Sequence, residues 1–231
     1  MSRPRFAAAF AVALMVSVSA VAHAAPFTAT YTFTGSPGNQ PSEPVDAQPA
    51  GAVLTDIVRG PGITPNAGLN SINSAGWTTS ASIDVNDYYG FTITPDPGFV
   101  MDLTALDFTQ RASGTGPTDW ELRSSVDSFA TSIASGATSI EANLRLHVDL
   151  SSVAALQDLT VPVTLRIFAD RSPSLLGTWR LGIANGDPGA TLPPNLQLSG
   201  DLSPAQVPEP ATLLLLSSGL VGFAAWKRSR Q

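Results

Sequence analysis

Leu144-Arg145-Leu146-His147-Val148-Asp149-Leu150 alternates without a fault, apolar at every even position and polar at every odd one. A strand turns successive side chains to opposite faces, so these residues read as a strand with one buried and one wet face. Working outward, the same period of two returns in Thr28-Ala29-Thr30-Tyr31-Thr32-Phe33-Thr34, with Ala29, Tyr31 and Phe33 on one side. It returns again over residues 88–94, 99–110, 161–169, 176–184 and 195–201. Shorter strands are expected at 52–59 and 77–85, and as a hairpin pair, 119–124 with 128–134, around Ser125-Val126-Asp127. Within 99–108 the apolar parity switches near Ala105, which predicts a bulge or a bend between sheets.

The remaining stretches punctuate these strands. Residues 35–51 and 112–118, rich in Pro, Gly and Ser, read as loops, and 60–76, with its Pro, Gly and Asn, as another loop or an irregular edge. Pro95-Asp96-Pro97-Gly98 and Asn185-Gly186-Asp187-Pro188-Gly189 carry turn chemistry. One short helix is expected over 151–159, capped by Ser151 or Ser152, with Val153, Leu156 and Leu159 at helical spacing. About ten short strands and one helix describe an all-β chain, an antiparallel β-sandwich of jelly-roll-like winding. No repeat of fixed length supports a β-helix.

Both ends read as addresses rather than as part of this body. Arg3 and Arg5, the apolar run 6–22 and the small-residue site Ala22-His23-Ala24 form a signal peptide, cut after Ala24. The last 25 residues hold Pro208-Glu209-Pro210, an uncharged apolar run at 211–226, then Lys227, Arg228 and Arg230. As a transmembrane helix the run reaches only about 24 Å, short of a hydrocarbon core of about 30 Å. The cations at its end resist translocation and keep it on the cytoplasmic side. The organisation is therefore signal peptide 1–24, sandwich 25–202, linker 203–207 and tail 208–231. An ordinary permanent anchor is the alternative for the tail, although such a span usually needs about 20 apolar residues.

This ending resembles the PEP-CTERM sorting signal of Gram-negative bacteria, read by the membrane enzyme exosortase. The resemblance implies export through the Sec machinery, removal of the leader by signal peptidase and transient inner-membrane anchoring. It further implies cleavage near Pro208-Glu209-Pro210 and delivery to the cell envelope, cell surface or extracellular matrix. The central region also resembles a sandwich domain of other exported proteins with this tail. Tyr88-Tyr89-Gly90-Phe91-Thr92-Ile93-Thr94-Pro95, Leu103-Thr104-Ala105-Leu106-Asp107-Phe108 and Trp120-Glu121-Leu122-Arg123-Ser124-Ser125-Val126-Asp127 carry that likeness.

Composition removes several function classes. There is no cysteine, hence no thiolate zinc site, iron–sulfur cluster or thiol nucleophile. Between Arg5 and Lys227 lie seven arginines and all 18 acids, a net charge of −11. A body so acidic, with no lysine of its own, has no footprint for nucleic acid. No Gly-rich loop leads from a strand into a helix, so nucleotide binding has no support.

What remains is a set of constellations to weigh. His147, with Arg145 and Asp149 on the same strand face, could act as a base oriented by Asp149, but no Gly-x-Ser-x-Gly elbow supplies a nucleophile. A solvated, charge-balanced face is the simpler account. Asp119 and Glu121 share a strand face, as glycosidase carboxylates would. Asp84 and Asp87 are the candidates for a structural calcium, in a loop that lacks EF-hand spacing. Trp77, Tyr88, Tyr89 and Trp120 are the candidates for stacking on sugar rings. Trp120 shares parity with Leu122, and Trp179 with Leu181, which favours the core for both, whereas Tyr88 is off the apolar parity of its strand. The expectation is a non-enzymatic structural or adhesive envelope protein. The alternative is a carbohydrate-binding module on exopolysaccharide, with a glycan hydrolase third.

Overall fold

The long strand that carries the predicted parity switch is the spine of one sheet. The computed structural model describes residues 23–183 and 195–205, and the elements below are those of the described residues. In chain order they are β1 (Ala25–Thr32), β2 (Pro37–Gly38), β3 (Ser42–Glu43), β4 (Ala52–Leu54) and β5 (Ile57–Arg59). Next come β6 (Thr64–Pro65), β7 (Ser71–Ala75), β8 (Tyr88–Pro95), β9 (Phe99–Ala112) and β10 (Asp119–Ser124). The chain ends with β11 (Ala134–Ala137), β12 (Leu144–Asp149), β13 (Val163–Asp170), β14 (Trp179–Gly182) and β15 (Asn195–Pro204).

Two sheets result. In the first, β12 lies on one edge of β9, with β15 and then β14 along the other; β1 continues from β15, and β7 with β2 and β6 from β14. The second runs β11-β10-β13-β8-β5-β3, with β4 also on β8. Every pairing is antiparallel except the two-residue contact of β2 with β7. The bulge is where the parity switch put it. β15 steps from Ser199, opposite Ala105, to Gly200, opposite Leu103, so Thr104 has no partner on β15. Leu103 and Leu106 therefore both point inward. A side chain at Gly200 would meet the Asp102 carbonyl at 2.3 Å, so the bulge needs glycine there.

Rings from facing strands meet between the sheets. Tyr31 of β1 packs on Phe91 of β8 at 5.3 Å, and Phe108 of β9 on Trp120 of β10 at 5.4 Å. Trp77, Tyr89 and Trp179 form a three-ring cluster at 5.2–5.7 Å. All three are buried, and their polar atoms are paired: Tyr89 Oη donates to the Trp179 carbonyl and Trp179 Nε1 to Gln110 Oε1, each at 2.8 Å. Each fully buried ring of this kind stabilises the fold by about 2–3 kcal/mol.

Several expectations need correction. Residues 77–85 form no strand, because side chains take the backbone N–H groups that a ladder would use. Asp87 accepts from Thr78 N at 2.7 Å, Thr78 Oγ1 from Ser80 N and Asp84 Oδ1 from Asn86 N. Within 60–76, read as a loop or an irregular edge, lies β7, a regular strand between β14 and β2 and most of it buried. The partner of β10 is β11 at Ala134–Ala137; residues 128–133 are the loop between them. The helix expected over 151–159 is a single 3-10 turn, Ala154–Leu156, with no side-chain cap. β4 and β5 are two short strands where one was expected, and β15 runs through Pro204, two residues into the stretch read as linker. The segments expected to form a signal helix and a C-terminal transmembrane helix lie outside the described residues, among which no helix is long and apolar enough to cross a membrane.

Candidate functional site

On the inner face of the second sheet, β8 offers Tyr89, Phe91 and Ile93, and β13 offers Leu165 and Ile167. The opposite parity builds the outer face: Tyr88, Gly90 and Thr92 from β8, with Thr164, Arg166 and Phe168 from β13. An outer face should be polar and wet, yet Phe168 there is wholly buried. Tyr88 lies beside it in register and contacts its ring at 5.6 Å, while Phe129 approaches from the loop between β10 and β11 at 6.4 Å. The Arg166 guanidinium carbon lies 4.0 Å from the Tyr88 ring centre and 4.0 Å from that of Phe129. Its charge thus sits over the electron-rich faces of two rings at once.

Phe129 reaches this place at a conformational cost. Ser128 and Phe129 are both left-handed, at φ 60° and 62°, a region that costs a bulky side chain about 1–3 kcal/mol. The surroundings over-determine it. Asp127 accepts from Ala130 N at 3.2 Å and Thr131 N at 2.9 Å, and Arg123 Nη1 donates to the Phe129 and Ala130 carbonyls, each at 3.0 Å. Arg123 is held in turn by Glu121 at 2.7 Å. Ser125 Oγ accepts from Thr164 N at 2.9 Å, so the loop is fastened to the sheet it covers.

Beside this stack is a cleft of about 330 Å³ with Tyr88, Thr92, Thr164 and Arg166 on one side and Asp56 and Val58 on the other. Gly90 is its floor. A side chain at Gly90 would meet Arg166 Cγ at 3.1 Å and Tyr88 Cδ2 at 3.2 Å, so glycine lets the arginine lie flat across β8. Thr92 and Thr164 join hydroxyls at 2.7 Å along the same face. Among the described residues no carboxylate or carbonyl accepts a hydrogen bond from Arg166, and its Nε is buried without a partner. Arg59, Arg123, Arg145 and Arg171, by contrast, each donate to carboxylates, carbonyls or amides.

A second depression, about 270 Å³, lies at the β10–β13–β11 end of the sheet and gathers Asp119, Glu121 and Asp170. Asp119 and Asp170 are directly opposite in register. Burial first, and Asp119 second, push the Asp170 carboxyl above the usual range. Arg171 pairs with Asp119 at 3.1 Å.

Of the four aromatic residues singled out for sugar stacking, Trp77, Tyr89 and Trp120 are core residues, leaving Tyr88 as the one at the surface. Arg166 and Phe129 escaped the sequence reading; the readable signal was Phe168, an aromatic on the polar parity of β13. His147 is 64% exposed, and Asp107, its opposite number on β9, touches it at 3.1 Å. Asp149 instead binds Ser151, and Arg145 binds Asn195 and Gln197. Asp84 and Asp87 serve the backbone of their own loop, and among the described residues no trio of His, Asp or Glu gathers to hold a metal. Burial outweighs the hydrogen bond from Thr78 N, which acts to lower it, and pushes the Asp87 carboxyl up to about 6. Ala24 is exposed at the head of β1; Ala22, Pro208, Glu209, Pro210, Lys227, Arg228 and Arg230 lie outside the described residues.

Residues 206–229 match the PEP-CTERM protein-sorting motif. The chain carries a PEP-CTERM sorting signal. That signal marks it for export, exosortase processing and sorting to the cell envelope or surface. The motif accounts for about a tenth of the sequence, and comparison with curated proteins finds no match. Among solved structures the body is similar to a family 29 carbohydrate-binding module from Piromyces equi, at 8% identity and a TM-score of 0.30 over 64% of this chain and 90% of that one. It is also similar to a cleaved adhesin domain of Lys-gingipain from Porphyromonas gingivalis, at 11% identity and a TM-score of 0.29 over 78% of this chain and 99% of that one.

Proposed function

We propose that this PEP-CTERM protein is a non-enzymatic structural or adhesive component of the envelope or extracellular matrix of a Gram-negative bacterium. Its leader is removed after Ala24, its tail holds it briefly in the inner membrane, and cleavage near Pro208-Glu209-Pro210 releases it. The observation that carries this reading is the match of residues 206–229 to the sorting motif. The body fits the role, since β15 ends at Pro204 and Ala205 N still bonds the Gly98 carbonyl, so a cut a few residues later leaves both sheets whole. A jelly-roll-like winding is part of the proposal, because each sheet draws strands from both halves of the chain. The test is fractionation of cells with and without the exosortase. Protein at the surface in the first and held in the inner membrane in the second is the expected pair. Surface delivery independent of the enzyme contradicts the reading.

One observation favours a second reading, a carbohydrate-binding module. The Tyr88–Arg166 stack beside a cleft of about 330 Å³ joins an aromatic surface to hydroxyls and charges, the mixture with which proteins hold sugars. A glycan array probed with the purified protein checks it. Retention of oligosaccharides that is lost in Tyr88→Ala supports the module, and retention of none excludes it.

A further inference from the structure

Resting on the carbohydrate-binding reading, the geometry points to the carboxylate of a uronic-acid polysaccharide as the group this cleft receives, with Arg166 as its recognition residue. Two rings hold the guanidinium, Tyr88 and Phe129, each with its centre 4.0 Å from the guanidinium carbon. Its terminal Nη1 and Nη2 groups have no acceptor among the described residues, and that planar fork matches a carboxylate in a way that a lysine ammonium does not. The chain has 18 acids, yet none of the described ones pairs with this arginine. Asp56 lines the same cleft without closing an ion pair across it. A cation stacked, oriented and left without an anion in so acidic a chain is a preorganised receptor.

The surroundings fit a sugar better than a bare anion. Gly90 keeps the floor free of a side chain, the Thr92–Thr164 pair offers hydroxyls, and exposed Val58 offers an apolar wall. The Asp56 carboxylate can accept from sugar hydroxyls, and it repels a second negative group placed nearby. With a body charge near −11, a polymer of spaced single carboxylates is favoured over a densely sulfated one, since repulsion grows with the ligand's charge density. The left-handed Ser128-Phe129 pair is strain retained where it places a ring on the recognition residue.

The experiment is calorimetric titration of the full-length chain in mild detergent with oligogalacturonate, a neutral galactose oligomer of the same length, dextran sulfate and polyglutamate. Oligogalacturonate is expected to bind, with the other three about tenfold weaker or more. Arg166→Gln and Arg166→Lys are each expected to weaken oligogalacturonate about tenfold or more with the thermal midpoint kept, because the lysine restores charge without the fork. Asp56→Asn is expected to tighten it, a change that a misfolded variant cannot produce. Equal binding of the neutral oligomer, or full binding by both Arg166 variants, overturns the carboxylate assignment while the carbohydrate-binding reading stands. Polyglutamate matching oligogalacturonate overturns it in favour of an acidic peptide. No binding of any saccharide by the folded protein ends both.

Discussion

Arg59 and Arg166 flank β8 in one sheet, opposite adjacent residues Tyr89 and Gly90, and face opposite ways. Arg59 points inward and ties the two sheets at their seam. It donates to the carbonyls of Gln40, Gly38 and Asn73 and to Ser74 Oγ, and burial holds its guanidinium below the usual arginine range. Arg166 points outward, its guanidinium over two rings and without a hydrogen-bond acceptor among the described residues. The difference teaches how to separate fold from function in an acidic chain with few cations. An arginine whose donors are matched within the fold belongs to the architecture, and one held in place with its donors unmatched belongs to a partner.

The contrast can be broken by substitution. Arg59→Ala leaves several buried carbonyls unmatched and is expected to cost about 3–5 kcal/mol in urea unfolding. Arg166→Ala is expected to cost only about 1 kcal/mol, the worth of exposed ring contacts. Equal losses at the two sites would erase the distinction. Next in size is a pH effect on the seam side. The carboxyl of Asp87, buried against the loop that precedes β8, is raised to about 6, so the folded state holds its proton more tightly than the unfolded chain does. The stability this group contributes is present below about pH 4 and is lost as pH rises through about 6. Asp87→Asn should therefore be more stable than the parent by about 1–2 kcal/mol at pH 8, with the gap closing toward pH 4. Thermal unfolding across that range reads it directly.

Adjacent tyrosines sharpen the same comparison. Tyr89→Phe removes a buried hydroxyl bonded to the Trp179 carbonyl and is expected to cost about 1–1.5 kcal/mol. Tyr88→Phe, on the outside, is expected to stay within about 0.5 kcal/mol. A change of opposite sign is expected at Ser128, where glycine relieves a left-handed backbone. Ser128→Gly should add about 0.5–1 kcal/mol in denaturant unfolding while loosening the placement of Phe129.

How much of this was legible followed from which forces shaped each segment. Where burial dominates, as in β1, β9 and β13, alternation shows in the residues, and even the bulge near Ala105 can be read from a parity switch. β12 alternates as clearly, yet Leu144 is exposed and only Val148 is buried. β7 was hidden because its buried side chains are mostly polar. Ser71 donates to the Gly68 carbonyl and Asn73 to that of Ala67, so Ile72 is the one large apolar residue to betray a strand. Residues 77–85 misled in the opposite sense, since their Ser, Thr and Asp side chains look like a wet strand face and instead bind the backbone. The binding face was half visible. Tyr88 and Phe168 are off parity and adjacent in register, whereas Phe129 arrives through a left-handed loop whose position depends on Asp127 and Arg123, contacts that no local pattern encodes.

Both arginines matter to the cell only if the sandwich is delivered and set free of its tail. Intact-mass spectrometry of the protein recovered from the cell surface decides this. The account predicts a polypeptide that starts at Ala25 and stops close to Pro208, allowing for whatever group the processing step attaches. A mass that still includes the chain through Gln231 would contradict it.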